Sequence, residues 1–320
     1  MIPKLPYPYR GIYAATLTPL DARGRIDEVL LASHFMDLAA VDGIVGVLCN
    51  GHAGESFLLG REERRRVTQI AKQAIGDRAI IVSGVLCEES GEAGRHAVDA
   101  REAGADAMLI FPPFSWALSQ DAAMVLRHHR IIAEDADMPM MLYQASVGAG
   151  AMAYCPEVLV RLAQLPGVVA VKEGSWEVGA YDLHRRLLAR EAPHVAIMAS
   201  SDEHLFPCFA IGSEGSLVSL AVLMPQAIVA LDRAVTNGDL VTARRLHDQI
   251  QPLAVAIYGA PPGGHATARL KACMALLGRW PNGRARAPIV ELPPDEIHTL
   301  LRALIVAGLL DGDGGGKTTQ

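Results

Sequence analysis

Eight short apolar runs, spaced along the first three quarters of the chain and each followed by a loop and an amphipathic stretch, constrain the fold more than any other feature. They are Ile12–Leu17, Ile44–Cys49, Ile80–Val85, Ala107–Phe111, Met140–Tyr143, Val168–Lys172, Val195–Ala199 and Gly215–Ser219. Each is apolar almost throughout instead of alternating, as a strand covered on both faces requires. Eight such runs interleaved with helical stretches predict a closed parallel (β/α)8 barrel, a TIM barrel of the α/β class. Asp27 can cap a helix reaching Ala40, Ser90 the helix before Gly104, and Ser119 the helix reaching Glu134, while Pro156 suits a first helical turn.

Asn237-Gly238 ends the helix after the eighth run. Residues 239–258, 265–277 and 294–307 read as three more helices, beyond what eight βα units need, so a C-terminal helical extension is expected. The expected division is a catalytic barrel over 8–238, a helical region over 239–308 and a disordered tail over 309–320. A doubly wound open sheet, the rival architecture, would carry a glycine-rich phosphate loop after an early strand, and none is present. The glycine run of the tail imitates such a loop, but Asp311 takes its first glycine position and no helix can follow.

With 320 residues, 51% of them apolar, the chain can bury the core of one such barrel. Its formal charge of −6, with both signs mixed along the sequence, announces no face for nucleic acid. The charge run 62–66 reads as a solvated helix face. There is no uninterrupted apolar stretch of membrane-spanning length, and the start lacks the charged-then-apolar order of a signal peptide. A cytoplasmic protein without a membrane partner is therefore expected. Cys49, Cys87, Cys155, Cys208 and Cys273 are odd in number and form no C-x-x-C, so they read as buried free thiols, with no metal site and no cofactor expected.

Reactive groups of such a barrel sit at the C-terminal ends of its strands. Lysine is scarce here: Lys4 and Lys317 lie in the tails, and Lys72 and Lys271 belong to helices where a lysine reaches solvent. Lys172 instead closes the run Val168-Val169-Ala170-Val171, which puts an amine at the mouth of a low-dielectric barrel. Desolvation there lowers its pKa and frees the lone pair for attack on a carbonyl. The alternative is a strand-end lysine paired with Glu173 or another carboxylate. Tyr143 ends the neighbouring run, where a phenol could shuttle the protons of imine formation or simply anchor the strand. The loop Asn50-Gly51-His52-Ala53-Gly54-Glu55-Ser56 follows the second run, and its glycines let backbone N–H groups converge on an anion. A tight turn with Glu55 held by the rim accounts for the same spacing.

These segments occur in a telling order: Gly11–Pro19, Gly51–Glu55, Phe111–Phe114 with Ser119-Gln120, Tyr143, Val171-Lys172-Glu173 and Gly212–Gly215. The order resembles the dihydrodipicolinate synthase / N-acetylneuraminate lyase family of Schiff-base aldolases over residues 8–305. The resemblance implies a barrel with C-terminal helices, assembled as a homotetramer or dimer. It implies that Lys172 forms a Schiff base with a pyruvate-like 2-keto acid and that Tyr143 moves protons. It further implies that amides around Gly51, His52 and Ala53 hold the substrate carboxylate, and that Leu217 offers a backbone carbonyl.

Three features depart from the synthase branch. His52 and Ala53 replace two relay threonines, Ser115 falls where a neighbouring subunit lends a tyrosine, and residues 143–150 lack the arginine that binds a second carboxylate. The expected activity is therefore cleavage or dehydration of a 2-keto acid through an enamine on Lys172, with synthase activity proper as the nearer alternative. A keto-acid-binding barrel without catalysis is opposed by the presence of both Lys172 and Tyr143. A phosphate-binding barrel is opposed by Glu214 in Gly212-Ser213-Glu214-Gly215. His52 is a candidate titratable donor to a neutral oxygen of the distal half of the substrate, or else a histidine packed on the rim.

Overall fold

The computed structural model describes residues 9–311. Strands β1 (Gly11–Ala15), β2 (Ile44–Cys49), β3 (Ile80–Val85), β4 (Ala107–Ile110), β5 (Met140–Gln144), β6 (Val168–Glu173), β7 (Ala196–Ala199) and β8 (Gly215–Val218) pair in chain order, and β8 returns to β1. The closed parallel barrel is a TIM barrel. Between the strands run α1 (Glu28–Ala39), α2 (Arg61–Ile75), α3 (Ser90–Glu102), α4 (Ala122–Ala136), α5 (Pro156–Ala163), α6 (Val178–Glu191) and α7 (Leu205–Ala210), and α8 (Pro225–Thr236) follows β8. Three further helices extend the fold: α9 (Leu240–Ala254), α10 (Ala266–Leu276) and α11 (Pro294–Val306).

Strand side chains alternate between two cores, as the pleat demands. Ile12, Val47 and Val171 face the surrounding helices, whereas Tyr13, Leu48, Leu109, Met141, Ala170 and Leu217 fill the barrel. This alternation sets the site. Lys172 is in phase with Ala170, and Tyr143 with Met141, so both side chains enter the interior at its C-terminal end. Where β1 and β8 close the barrel only glycine fits, because a Cβ on Gly215 would lie 2.0 Å from the Gly11 carbonyl oxygen.

Asp27 caps α1 by accepting from the Leu30 N–H, and Pro156 opens α5. Two other expected caps are corrected. The Glu89 carboxylate takes the Gly91 and Glu92 N–H groups at the start of α3, while Ser90 turns its hydroxyl to His128. Asp121, not Ser119, accepts from the Met124 N–H at the start of α4. In both cases an acidic residue occupies the N-cap position and its charge suits the helix N-terminus.

The charge run on α2 is also not simply a solvated face. Arg66 forks onto Glu28, Arg64 donates to the Leu86 carbonyl, and Glu63 is held by Arg286 from the C-terminal region. All five cysteines are free thiols, but Cys155 is exposed and Cys87 half-buried, so burial holds for Cys49, Cys208 and Cys273. Among the described residues no helix is long and apolar enough to cross a membrane. Lys4, Lys317 and the glycine-rich tail from residue 312 lie outside the described residues.

Candidate active site

β5 and β6 pair with Tyr143 opposite Lys172, which places the phenol and the amine side by side. The Lys172 Nζ is 5.4 Å from the centre of the Tyr143 ring and 5.9 Å from that of Phe111. Burial holds the amine below the usual lysine range, an effect partly offset by the Asp202 carboxylate. Burial likewise pushes the Tyr143 phenol up to about 12. Glu173 leaves the strand on the opposite face, where its carboxylate is 2.8 Å from His184 Nδ1 and accepts from the Ser175 hydroxyl. A Lys172–Glu173 pair is thereby excluded.

The glycine loop is held from several sides. Asn50, at a positive φ of 54°, donates its side-chain amide to the Arg64 carbonyl, Thr68 and Ser83. Thr18 donates to the Gly54 carbonyl at 2.8 Å. Inside the turn the Gly54, Glu55 and Ser56 N–H groups bond back to the carbonyls of Gly51 and His52, and the N–H groups of His52 and Ala53 take no part. Glu55 is buried, accepts from the Arg286 N–H at 2.9 Å and is ion-paired with Lys271. Lys271 thus does not reach solvent: it is fully buried and also donates to the Arg284 carbonyl. The cause is that α10 is enclosed on nearly every side, between the barrel mouth and the segment before α11.

His52 packs into an aromatic group. Its ring stacks on Phe111 with centroids 4.3 Å apart, lies 5.9 Å from Phe114 and meets Tyr143 edge-on at 5.6 Å. Burial, reinforced by the Lys172 charge, pushes its pKa down to about 3. Burial thus favours the neutral ring, which packs against its aromatic neighbours and whose buried Nε2 has no partner.

A cavity of about 360 Å³ occupies the mouth of the barrel. Lys172, Tyr143, His52, Ala53 and Leu217 all line it. Gly51 does not, since it lies behind the wall where a Cβ would meet Leu48 at 3.0 Å. Among the described residues no arginine lines the cavity, and Ser115 is exposed, bonded to Glu88.

Sequence reasoning missed half of the wall. Asp202, in the loop after β7, accepts from the Leu220 N–H at 2.7 Å, and the Tyr258 hydroxyl on the same cavity wall shares a 2.7 Å bond with Ser219. Burial raises the Asp202 pKa against the opposing pull of Lys172. Trp176 stands at the rim and donates its indole N–H to Glu203. From the C-terminal region Gly263, Gly264 and Thr267 cover the opening. Buried Arg269 fixes that cover by donating to the carbonyls of Ile257 and Ala260 and pairing with Glu296. The strand-end rule could have found Asp202. Nothing local marks Tyr258 or the cover, which come from beyond the eighth strand.

Comparison with known proteins agrees with this geometry. Residues 8–307 match the model of the Dihydrodipicolinate synthetase family. The 4-hydroxy-tetrahydrodipicolinate synthase of Synechococcus elongatus is 31% identical over 308 residues, which is 95% of this chain and 98% of that protein. A synthase of the same name from Streptomyces coelicolor is 31% identical over 96% of both chains. Among solved structures, a dihydrodipicolinate synthase from Agrobacterium tumefaciens superposes with a TM-score of 0.82 at 26% identity, over 94% of this chain and 98% of its own. YagE, an E. coli K12 prophage protein solved in complex with pyruvate, shares the fold with a TM-score of 0.85 at 23% identity, over 94% of this chain and 99% of its own. Matched from before β1 to the end of α11, this chain belongs to the dihydrodipicolinate synthetase family.

Proposed function

We propose that this chain is a class I lyase in which Lys172 attacks the ketone of pyruvate or a pyruvate-type 2-keto acid and drives aldol cleavage, condensation or dehydration through an enamine. One observation carries the reading. Lys172 is a buried amine that faces the cavity beside Tyr143, whereas the other buried lysine, Lys271, is turned away and neutralised by Glu55. In this account burial supplies the free amine, and the Tyr143 hydroxyl moves protons as carbinolamine forms and loses water. The N–H groups of His52 and Ala53, on the turn that Gly51 permits, hold the substrate carboxylate, with the Leu217 carbonyl completing the site. The pyruvate bound by YagE supports a keto acid as substrate. The same reading takes the enzyme to be a cytoplasmic homotetramer or dimer.

Condensation of pyruvate with aspartate semialdehyde, the reaction proper to the synthases, is the second reading. It is weakened by the cavity wall, whose described residues include no arginine for a second carboxylate. The test is to assay the purified protein with both synthase substrates and with hydroxylated 2-keto acids, following pyruvate release and loss of water separately. The best hydroxylated acid should outpace the synthase reaction. Lys172→Ala should fold and be inactive, and Tyr143→Phe should bind yet turn over about 10²–10⁴-fold more slowly. Synthase turnover equal to that of the best keto acid, or activity retained in Lys172→Ala, contradicts the proposal.

A further inference from the structure

We propose that the mouth of this cavity is a subsite for an aromatic ring, so that the substrate is a 4-hydroxy-2-keto acid carrying an aryl group on C4. The inference rests on the reading of Lys172 as the imine-forming residue and adds the distal half of the substrate.

On one side the wall is built from stacked rings. His52, Phe57 and Phe114 line the cavity from the loops after β2 and β4. The imidazole lies nearly parallel to Phe114, at 24° and 5.9 Å between centroids, and is backed by Phe111 at 4.3 Å. Phe57 meets His52 and Phe114 edge-on, at 6.3 and 6.4 Å. Glu88 fixes Phe114 by accepting its backbone N–H at 2.9 Å. Even so, Phe57 and Phe114 remain 41% and 45% exposed, so two large apolar side chains stand at the opening with surface left to cover.

Trp176 and Tyr258 complete the wall. Trp176 follows β6, which stands half a turn round the eight-strand ring from β2, and its ring centre is 5.6 Å from that of Tyr258. The tryptophan is held there against its backbone preference, at a φ of 64° in the left-handed region that favours glycine. Its backbone N–H donates to the Ser201 hydroxyl at 3.1 Å and its indole N–H to Glu203 at 2.8 Å. Glycine would make this turn without strain. An indole anchored through both nitrogens in a costly conformation at the rim of a cavity points to a task for the ring itself.

Other distal groups find little on this wall. Lys172 is the only lysine or arginine among the described lining residues and is taken up in the imine, so a second carboxylate or a phosphate meets no cation. A chain of hydroxyls needs a partner for each. The Ser219 hydroxyl is already bonded to Tyr258, and that of Thr267 to the His52 carbonyl. A flat aryl group is matched instead by ring faces and edges from both sides of the mouth.

In cleavage on the Lys172 iminium, the C3–C4 bond breaks and its electron pair forms the enamine, while the C4 hydroxyl gives up its proton and becomes the aldehyde oxygen. The enamine takes a proton at C3 and hydrolysis releases pyruvate, so pyruvate and aryl aldehyde together equal the substrate. In dehydration a C3 proton and the C4 hydroxyl leave as water, and the new double bond is conjugated with the ring.

The test compares 4-hydroxy-2-keto acids that differ only beyond C4: a phenyl group, a methyl group or a chain of hydroxylated carbons. Pyruvate release and water loss are followed separately, and borohydride trapping of pyruvate on Lys172 is measured alongside. The phenyl acid should have the highest kcat/KM, about 10–100-fold above the methyl acid. Trp176→Gly suits the backbone at that position and removes only the side chain, and Phe114→Leu keeps apolar bulk without a ring. Each should lower the phenyl-to-methyl ratio of kcat/KM by about 3–10-fold. Trapping together with a phenyl acid no better than the methyl or the hydroxylated one, or a ratio unchanged in either variant, overturns the aryl subsite and leaves the Lys172 reading in place. Absence of trapping in the wild type refutes that reading, and the aryl subsite with it.

Discussion

On β6 the side chains of Lys172 and Glu173 leave the sheet on opposite faces, the amine into the cavity and the carboxylate toward His184 on α6. A slip of one residue in register would exchange them and abolish the site, so the fit of Val171 and Ala170 into their separate cores protects the chemistry as well as the fold. Histidine shows how burial sets charge at single positions. His34 packs edge-on against Trp280 and accepts from the Leu17 N–H, and His129 bonds to the Val125 carbonyl. Burial pushes both pKa values down to about 3. Below the unfolded value the unfolded chain takes up protons that the folded chain refuses. Their contribution is therefore complete above about pH 6.5 and falls as pH drops toward 3, by up to about 1.4 kcal/mol per pH unit for each histidine. Urea midpoints measured from pH 7 to pH 4 should decline, and His34→Gln should flatten the slope. An unchanged slope in that variant would show that His34 is not the group being charged.

At the scale of elements, α10 is the helix whose role is hardest to read from its own residues. Its existence is legible in the spacing of 265–277, but its burial is not. The groups that enclose Lys271 are Glu55 and the Arg284 carbonyl, the first of them from the other end of the chain. Two residues earlier, and so on the opposite side of the helix, Arg269 fastens the cover of the cavity. The helix thereby braces the glycine loop with one cation and the opening with another. Lys271→Met strands a buried carboxylate and should cost about 3–5 kcal/mol in urea unfolding. Adding Glu55→Gln should recover much of that loss, and the pair should be strongly non-additive in a double-mutant cycle. Additive losses would mean that the two side chains do not act on each other. The caps of α3 and α4 were harder to read than that of α1 for a similar reason, since a serine and an acidic residue compete for each first turn and geometry decides between them.

In the molecule as a whole, the barrel was legible because every one of its eight strands is a buried apolar run that needs no distant partner to be recognised. Lys172, Tyr143 and the glycine loop were legible for the same reason, since each is tied to a strand end. The other half of the cavity was not. Asp202 sits among serines in a loop, while Tyr258 and Gly263-Gly264 reach the mouth only because α9 and α10 fold back over it. The chemistry proposed here nevertheless turns on one amine in that cavity. Intact-mass analysis and peptide mapping after borohydride reduction with pyruvate test it most directly. One reduced pyruvyl unit on Lys172, absent from Lys172→Ala, is the result the account predicts. Labelling of Lys271 or Lys72, or no labelling at saturating pyruvate, would contradict it.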